Sequence, residues 1–433
     1  MYGCQQVLIN GSKELMAYLE YVCSQAKKLI NCGIYYSRQL FFKTRKLPTR
    51  ADLHKQLGTY EKNPHYHALY SDTAQQILTT VAESFKSYLG LMKKFQTGEI
   101  EVKPKLPNYL KGKSGLAVAT FTGRSVKLTG KKKGFESEFG IRLPLGQKVK
   151  AWFGVSEFYI PMPSNLDIKN IREVRILPRN RCFYAEFIYK LEPKNVELDH
   201  SMVLGIDPGL NNWLTCISNA GTSFIVDGLH LKSINQWYNK SVAKRKQGKP
   251  WGFWSRKLSA ITEKRNRQMR DAVNKAAKIV INHCISNGIG QIVFGWNKRQ
   301  KDSANMGKKN NQKFVQIPTE KLKERIKQLC ELYGIKFTQT EESYTSKASF
   351  VDNDFLPTIG AKPQGWKPKG TRVKRGLYKA FGGFKCNADC NGAANILRKV
   401  ATTLGLDLSG VSRGALSTPS RVHFWTKAKF PVL

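Results

Sequence analysis

The chain has 433 residues, and 72 lysines and arginines against 31 acids give it a net charge of +41. That length predicts two or three domains, and 41% hydrophobic with 11% aromatic residues exclude a disordered polyelectrolyte. Such an excess repels itself in a compact state unless something anionic neutralises it, and its spread along the whole chain points to extended nucleic-acid channels, not one docking patch. Nine cysteines without a CxxC pair predict free thiols in a reducing compartment. No charged-then-apolar leader, membrane-length apolar run or lipidation signal is present, so the expected location is the cytoplasm or its nucleoid, with no membrane partner.

A short apolar strand opens the chain. Ser12 is then placed to cap a helix that buries Leu15, Leu19, Val22, Ala26 and Leu29, and a second helix after Ser71 carries Ile77, Val81, Phe85 and Leu89 and stops at Gly98. The polar, proline-broken stretch from Lys43 to Pro64 is expected as a loop. From about Lys103 to Leu191 the runs LAVATFT, SVKLT, FGIRL, VKAWF, IREVRILP and CFYAEFIYKL read as six short strands and predict a small β-barrel. Twelve basic residues between Lys103 and Lys150, among them Lys131, Lys132 and Lys133, suit a nucleic-acid scaffold, although a lysine run is also the mark of a solvated loop.

Beyond a polar linker around Glu192 to His200, MVLGID is an apolar strand ending on an acid. WLTCISNAG and TSFIVDG form the arms of a hairpin turned at Asn219 to Gly221. A long helix from about Arg256 to Asn287 buries Leu258, Ile261, Met269, Val273, Ala276, Val280 and Cys284. The strand QIVFGW, a helix from Pro318, the strand IKFTQTEE and a last helix after Asp389 follow. Strand, hairpin, helix, strand, helix, strand, helix is the order of an α/β RNase H-like fold.

Hydrolysis of a phosphodiester with magnesium needs carboxylates, because the metal is a hard cation that takes oxygen ligands, and two such metals stabilise both attacking and leaving oxygens. Asp207 closes VLGID before Pro208 and Gly209, where Asp-Pro-Gly also reads as an ordinary turn. Asp389 stands directly before a helix that begins with the small residues Gly392, Ala393 and Ala394, and its competing reading is a helix cap. Between them only IKFTQTEE ends in acids. Strand alternation sends Glu341 and Glu342 to opposite faces, so at most one joins a site.

Taken in order, GIDPG, EKRNRQMRD, EESYTSKASF and NADCNGAANIL resemble the RuvC domain of the TnpB family of transposon-encoded nucleases, which is related to miniature type V CRISPR effectors and to Fanzor proteins. The likeness implies an RNA-guided DNA endonuclease of the prokaryotic nucleoid that cuts beside a short adjacent motif. Asp207, Glu342 and Asp389 would hold two Mg2+ ions, with Mn2+ as a substitute, and the partners would be guide RNA and double-stranded target DNA, bound by a monomer or a homodimer. The implied layout is residues 1–10 as the first strand of a wedge barrel, 11–100 as a helical recognition domain and 101–195 as the barrel. Residues 196–345 would form the first part of the RuvC-like domain, 346–385 a target-binding insert, 386–404 the last RuvC motif and 405–433 a basic C-terminal tail.

Two features depart from the family pattern. The middle glutamate of many relatives would end QIVFGW, where this chain has Gly295 and Trp296; Glu342 in EESYTS matches a rearranged position, just ahead of YTS, seen in some relatives. The four-cysteine zinc ribbon is also replaced, with only Cys386 and Cys390 near it, so no zinc is expected. His65 and His67 are read as surface or core residues. Lys244, Arg245, Lys246, Trp251 and Trp254, from the basic and aromatic KRKQGKPWGFWSRK, are candidates to stack on and neutralise a strand or heteroduplex, with Arg265 and Arg270 of the long helix beside them. A nuclease-dead RNA-guided binder is one alternative. An unguided RNase H-like transposase is another, but its acids would run aspartate, aspartate, glutamate, whereas here the order is aspartate, glutamate, aspartate.

Overall fold

A computed structural model describes residues 1–112, 115–129, 140–154, 157–297 and 317–425. They divide into two compact units, Met1–Leu191 and Glu192–Leu433. Lys131, Lys132 and Lys133 lie outside the described residues.

The first unit runs β1 (Tyr2–Ile9), α1 (Lys13–Thr44), α2 (Arg50–His54), a π-helical turn (Lys55–Tyr60), α3 (Pro64–His67), α4 (Ser71–Gln96), β2 (Ala119–Thr122), β3 (Lys127–Thr129), β4 (Gly140–Leu143), α5 (Gln147–Phe153), β5 (Phe158–Pro161), β6 (Ile171–Arg179) and β7 (Cys182–Lys190). Ser12 caps α1 by accepting from the Leu15 amide at 3.2 Å, and the expected stripe is buried. The stretch from Lys43 to Pro64 is not a loop. Thr49 and Asp52 form a reciprocal capping box, with the Asp52 carboxylate 2.9 Å from the Thr49 amide, and this starts helical backbone that runs to Tyr60.

The strands of this unit divide between two sheets, β1-β7-β6-β2 and β3-β4-β5, where one barrel was expected. VKAWF is helix α5: it satisfies strand alternation and the i, i+4 spacing of Val149 and Phe153 equally well, and between Gly146 and Gly154 it settles as two helical turns. The opening strand pairs antiparallel with β7 from Tyr2 opposite Lys190 to Ile9 opposite Phe183. His65 bonds Gln25 at 2.8 Å and His67 the Gly58 carbonyl at 3.0 Å, so both serve local packing.

The second unit contains β8 (Asp199–Pro208), β9 (Asn212–Ser218), β10 (Ser223–Asp227), α6 (Leu229–Lys246), α7 (Arg256–Ser286), β11 (Ile289–Gly295), α8 (Thr319–Tyr333), β12 (Lys336–Thr340), β13 (Thr371–Lys374), β14 (Leu377–Lys379), β15 (Lys385–Asn387), α9 (Ala388–Leu404), α10 (Arg413–Ser417) and β16 (Ser420–Val422). Its main sheet has the order β12-β11-β8-β9-β10-β16. β8, β9 and β10 form an antiparallel meander, and β11 and β12 lie parallel to β8 and to each other. This is the RNase H-like arrangement, with an additional edge strand. β11 is buried along its whole length, as befits a strand covered on both faces.

Three features of this unit were not expected. α6 buries only Leu231, Ile234 and Asn235 and leaves Leu229 and Trp237 exposed, so its periodicity is faint. The supposed basic tail from residue 405 instead packs back as α10 and β16, the latter parallel to β10 with Arg421 opposite Ile225. Across 371–387, β13, β14 and β15 make a small sheet around buried Tyr378, whose hydroxyl donates to the Lys347 carbonyl at 2.8 Å. The Asp354 carboxylate gathers the Ser349 and Lys369 amides at 2.7 and 3.1 Å. Cys386 and Cys390 are buried, and burial pushes the Cys386 thiol up to about 11. Among the described residues no helix is long and apolar enough to cross a membrane.

Candidate active site

β8 lies in the interior of the sheet and presents Asp207 one residue before its end, opposite Thr215 of β9. Asp389 comes to the same edge from the first turn of α9. It is not the cap of that helix: Asn387 is, accepting from the Asp389 and Cys390 amides at 2.9 and 3.2 Å. The Asp389 carboxylate is thereby left for other partners, Asn212 Nδ2 on Oδ2 at 2.7 Å and Arg372 Nη2 on Oδ1 at 3.0 Å. Gly392, one turn on, is where α9 meets Asp207: a Cβ there would stand 2.6 Å from Asp207 Oδ2.

Glu342 follows the end of β12. Its amide donates to Asn297 Oδ1 at 3.0 Å, and its carboxylate reaches to where a Cβ on Gly295 would sit 3.4 Å away. A side chain at residue 295 would need Ile396 Cδ1, 2.4 Å from its Cβ, to move, and would come into contact with Glu342. Glu341 turns elsewhere, to the Lys399 ammonium and the Ser343 amide. The irregular segment that carries both is tied to α9 by two fully buried asparagines. Asn391 takes the Phe350 amide and gives to the Ala348 carbonyl, and Asn395 gives to the Thr345 and Ala348 carbonyls, all at 2.8 to 2.9 Å.

Burial, and after it the charges of Glu342 and Asp389, hold the Asp207 carboxyl well above the usual range, with Arg372 opposing them. Burial also pushes Glu341 up, but its bonds to Lys399 and Ser343 outweigh that and leave it below its ordinary value. Asp207 and Asp389 line a cleft of about 460 Å³ with Asn212, Asp227, Arg372, Arg375, Arg421 and His423. Among the described residues no group of three or more His, Cys, Asp or Glu side chains is placed to hold a metal ion; Arg372 and Asn212 occupy the two carboxylate oxygens of Asp389.

A carboxyl whose pKa is raised by folding opposes folding once the pH exceeds its unfolded value, because ionisation costs more in the native state. Asp207→Asn should therefore stabilise the metal-free protein at neutral pH, by on the order of 1 kcal/mol, and this gain should vanish at about pH 4 and below, where both forms are neutral. Thermal unfolding of both proteins in chelator across that range is the check; equal stability at pH 7 would contradict the electrostatic picture.

The remaining candidates are not gathered at the acids. Lys244, Arg245 and Lys246 form the last turn of α6, with Lys246 5.1 Å from the Trp254 ring, and Trp251 is fully exposed at the turn into α7. Trp254 donates to Ser259 Oγ at 2.9 Å. Arg265 is engaged within the unit, with Nε on Asn235 at 2.9 Å and its guanidinium over Tyr238, so it is no free nucleic-acid contact; Arg270 is half-buried. Asn212, Asp227, Arg372 and Arg421 of the cleft were not singled out from the sequence. Asn212 follows GIDPG closely enough to have been noticed, but nothing marks Arg421.

Residues 186–301 match the OrfB_IS605 family, described as "Probable transposase". The A625R protein of Paramecium bursaria Chlorella virus 1, which bears a transposase name, is 23% identical over 202 residues, 46% of this chain and 44% of that protein. The chain thus matches less than half the length of this curated relative. Among solved structures, the Cas12f1 of a Cas12f1–sgRNA–target DNA complex superposes with a TM-score of 0.59 at 16% identity over 89% of this chain and 83% of its own, a likeness of fold. The mini-RNA-guided endonuclease CRISPR-Cas_phi3 gives 0.49 at 10% identity over 97% and 94%.

Proposed function

We propose, from the premise that this chain is a TnpB-type relative of the OrfB_IS605 probable-transposase family, that it is a guide-RNA-directed, divalent-metal-dependent DNA endonuclease. The observation that carries this reading is the placing of Asp207 near the end of β8, Glu342 just after β12 and Asp389 in the first turn of α9, at one edge of an RNase H-like sheet, where the charges of Glu342 and Asp389 add to burial in raising the Asp207 carboxyl. Mutually repelling, partly buried carboxylates are costly without a cation, and an all-oxygen donor set suits a hard divalent ion such as Mg2+ or Mn2+. Asp207, Glu342 and Asp389 would hold it, and it would supply Lewis-acid stabilisation of the attacking and leaving oxygens of a phosphodiester.

The chain's own residues do the rest. β8 and α9 fix two carboxylates on rigid elements, and Gly295 leaves room for the third. Arg372 and Arg375 stand on the cleft wall where a phosphate would pass, and the exposed basic and aromatic turn between α6 and α7 is suited to stack on and neutralise a strand. An excess of +41 spread over both units exceeds what one duplex needs and suits an RNA scaffold with a heteroduplex. The Cas12f1 neighbour is a complex with sgRNA and target DNA, which supports the same partners here. The decisive comparison is cleavage of matched and mismatched duplexes by protein with and without its copurifying RNA.

Glu342→Gln should inactivate the nuclease, whereas Glu341→Gln should keep cutting and lose stability, by about 1–3 kcal/mol, because it leaves the Lys399 ammonium, only 6% exposed, without its carboxylate. Cleavage rates and melting curves on the two variants check this. Reversed effects on cleavage would move the ligand by one residue.

A further inference from the structure

We propose that Arg421, in the C-terminal strand β16, is a positioning residue for Asp389, acting through Asn212 and anchored on the buried carboxylate of Asp227. The inference rests on the reading of Asp389 as a metal ligand. Asp227 ends β10 and is 4% exposed; its Oδ2 accepts from the Leu229 amide at 3.0 Å and its Oδ1 from Arg421 Nη1 at 2.8 Å. A carboxylate so placed needs a cationic partner and holds that partner firmly.

The second arm of the guanidinium, Nη2, donates to Asn212 Oδ1 at 2.9 Å, and Asn212 Nδ2 donates to Asp389 Oδ2 at 2.7 Å. A guanidinium has donors only, so it can meet only the oxygen of the amide. Arg421 therefore fixes which way Asn212 faces and presents its NH2 group to Asp389. One carboxylate oxygen is held by this relay, while the other, Oδ1, is held by Arg372. β16 takes the free edge of β10. It is a three-residue edge strand whose side chains are exposed or half-exposed, so it adds little core. Its parallel register on β10, however, sets Arg421 opposite Ile225, two residues from Asp227.

Hydrogen bonds that orient a ligand carboxylate typically change metal affinity about 10–100-fold when removed. The test is Mn2+ titration of the full-length, RNA-free chain, read by the electron spin resonance of free Mn2+, together with thermal unfolding of the same samples. Arg421→Lys keeps a cation on Asp227 but cannot reach Asn212 as well, and Asn212→Ala leaves the Arg421–Asp227 pair intact. Both should weaken Mn2+ binding about 10–100-fold with little change in melting temperature. Asp389→Asn should remove the site. If Asp389→Asn abolishes Mn2+ binding while both other variants bind as the parent does, Arg421 is only structural and the inference is overturned. If Asp389→Asn binds Mn2+ like the parent, the ligand reading itself fails.

Discussion

Asp207→Ala and Asp389→Ala should each reduce DNA cleavage by on the order of 10³-fold or more, because residues that act as one unit lose nearly all activity when any member is removed. Nucleic-acid binding should survive. Removing one acid takes the net charge from +41 to +42, so the polyanion attraction that supplies most of the affinity is unchanged or slightly stronger. Neither change removes a helix cap, since α9 is capped by Asn387, not Asp389. Cleavage of an end-labelled duplex and retention of the same duplex on a filter should be measured on one preparation. Cutting by either variant at the parent's rate would remove the active-site assignment, and joint loss of cutting and binding would make the acids structural.

The protein should purify with a structured RNA and cut duplex DNA only where that RNA can pair beside a short motif. An RNase H-like site works on one strand at a time, so a duplex must be opened before the proposed ligands Asp207, Glu342 and Asp389 could act on it. The chain has no GxxxxGKS phosphate loop for ATP-driven opening. Pairing with a guide is a near-balanced exchange of one duplex for another and opens the target without ATP. RNA-free and RNA-loaded protein should be compared on matched and mismatched duplexes in magnesium. The expected result is cutting of the matched duplex by the loaded protein alone. Equal cutting of both duplexes, or full activity without RNA, would leave an unguided nuclease or transposase.

Long, strongly patterned elements were legible because their burial follows from local periodicity. The stripe of α1, the long helix α7 and the meander with its two parallel partners needed no tertiary knowledge. The elements that escaped are those whose stability is not local. α6 has a thin apolar face, VKAWF fits both helix and strand, and β16 is three residues long and exists because β10 offers it an edge.

The sequence by itself determined the RNase H-like element order and the positions of Asp207 and Asp389 at element ends, since both follow from apolar runs and the residues that bound them. It narrowed the middle acid to Glu341 or Glu342 and could go no further, because alternation says only that adjacent side chains part company. The tertiary structure sets them apart, giving Lys399 to Glu341 and the space over Gly295 to Glu342, which favours Glu342 as the proposed ligand. It alone brought Arg372 and Arg421 to Asp389, the latter through Asn212, from segments 17 and 32 residues away. The reason is physical: which carboxylate is charged, paired or held depends on what folding places within a few ångströms of it, and no local pattern in the chain encodes that neighbourhood.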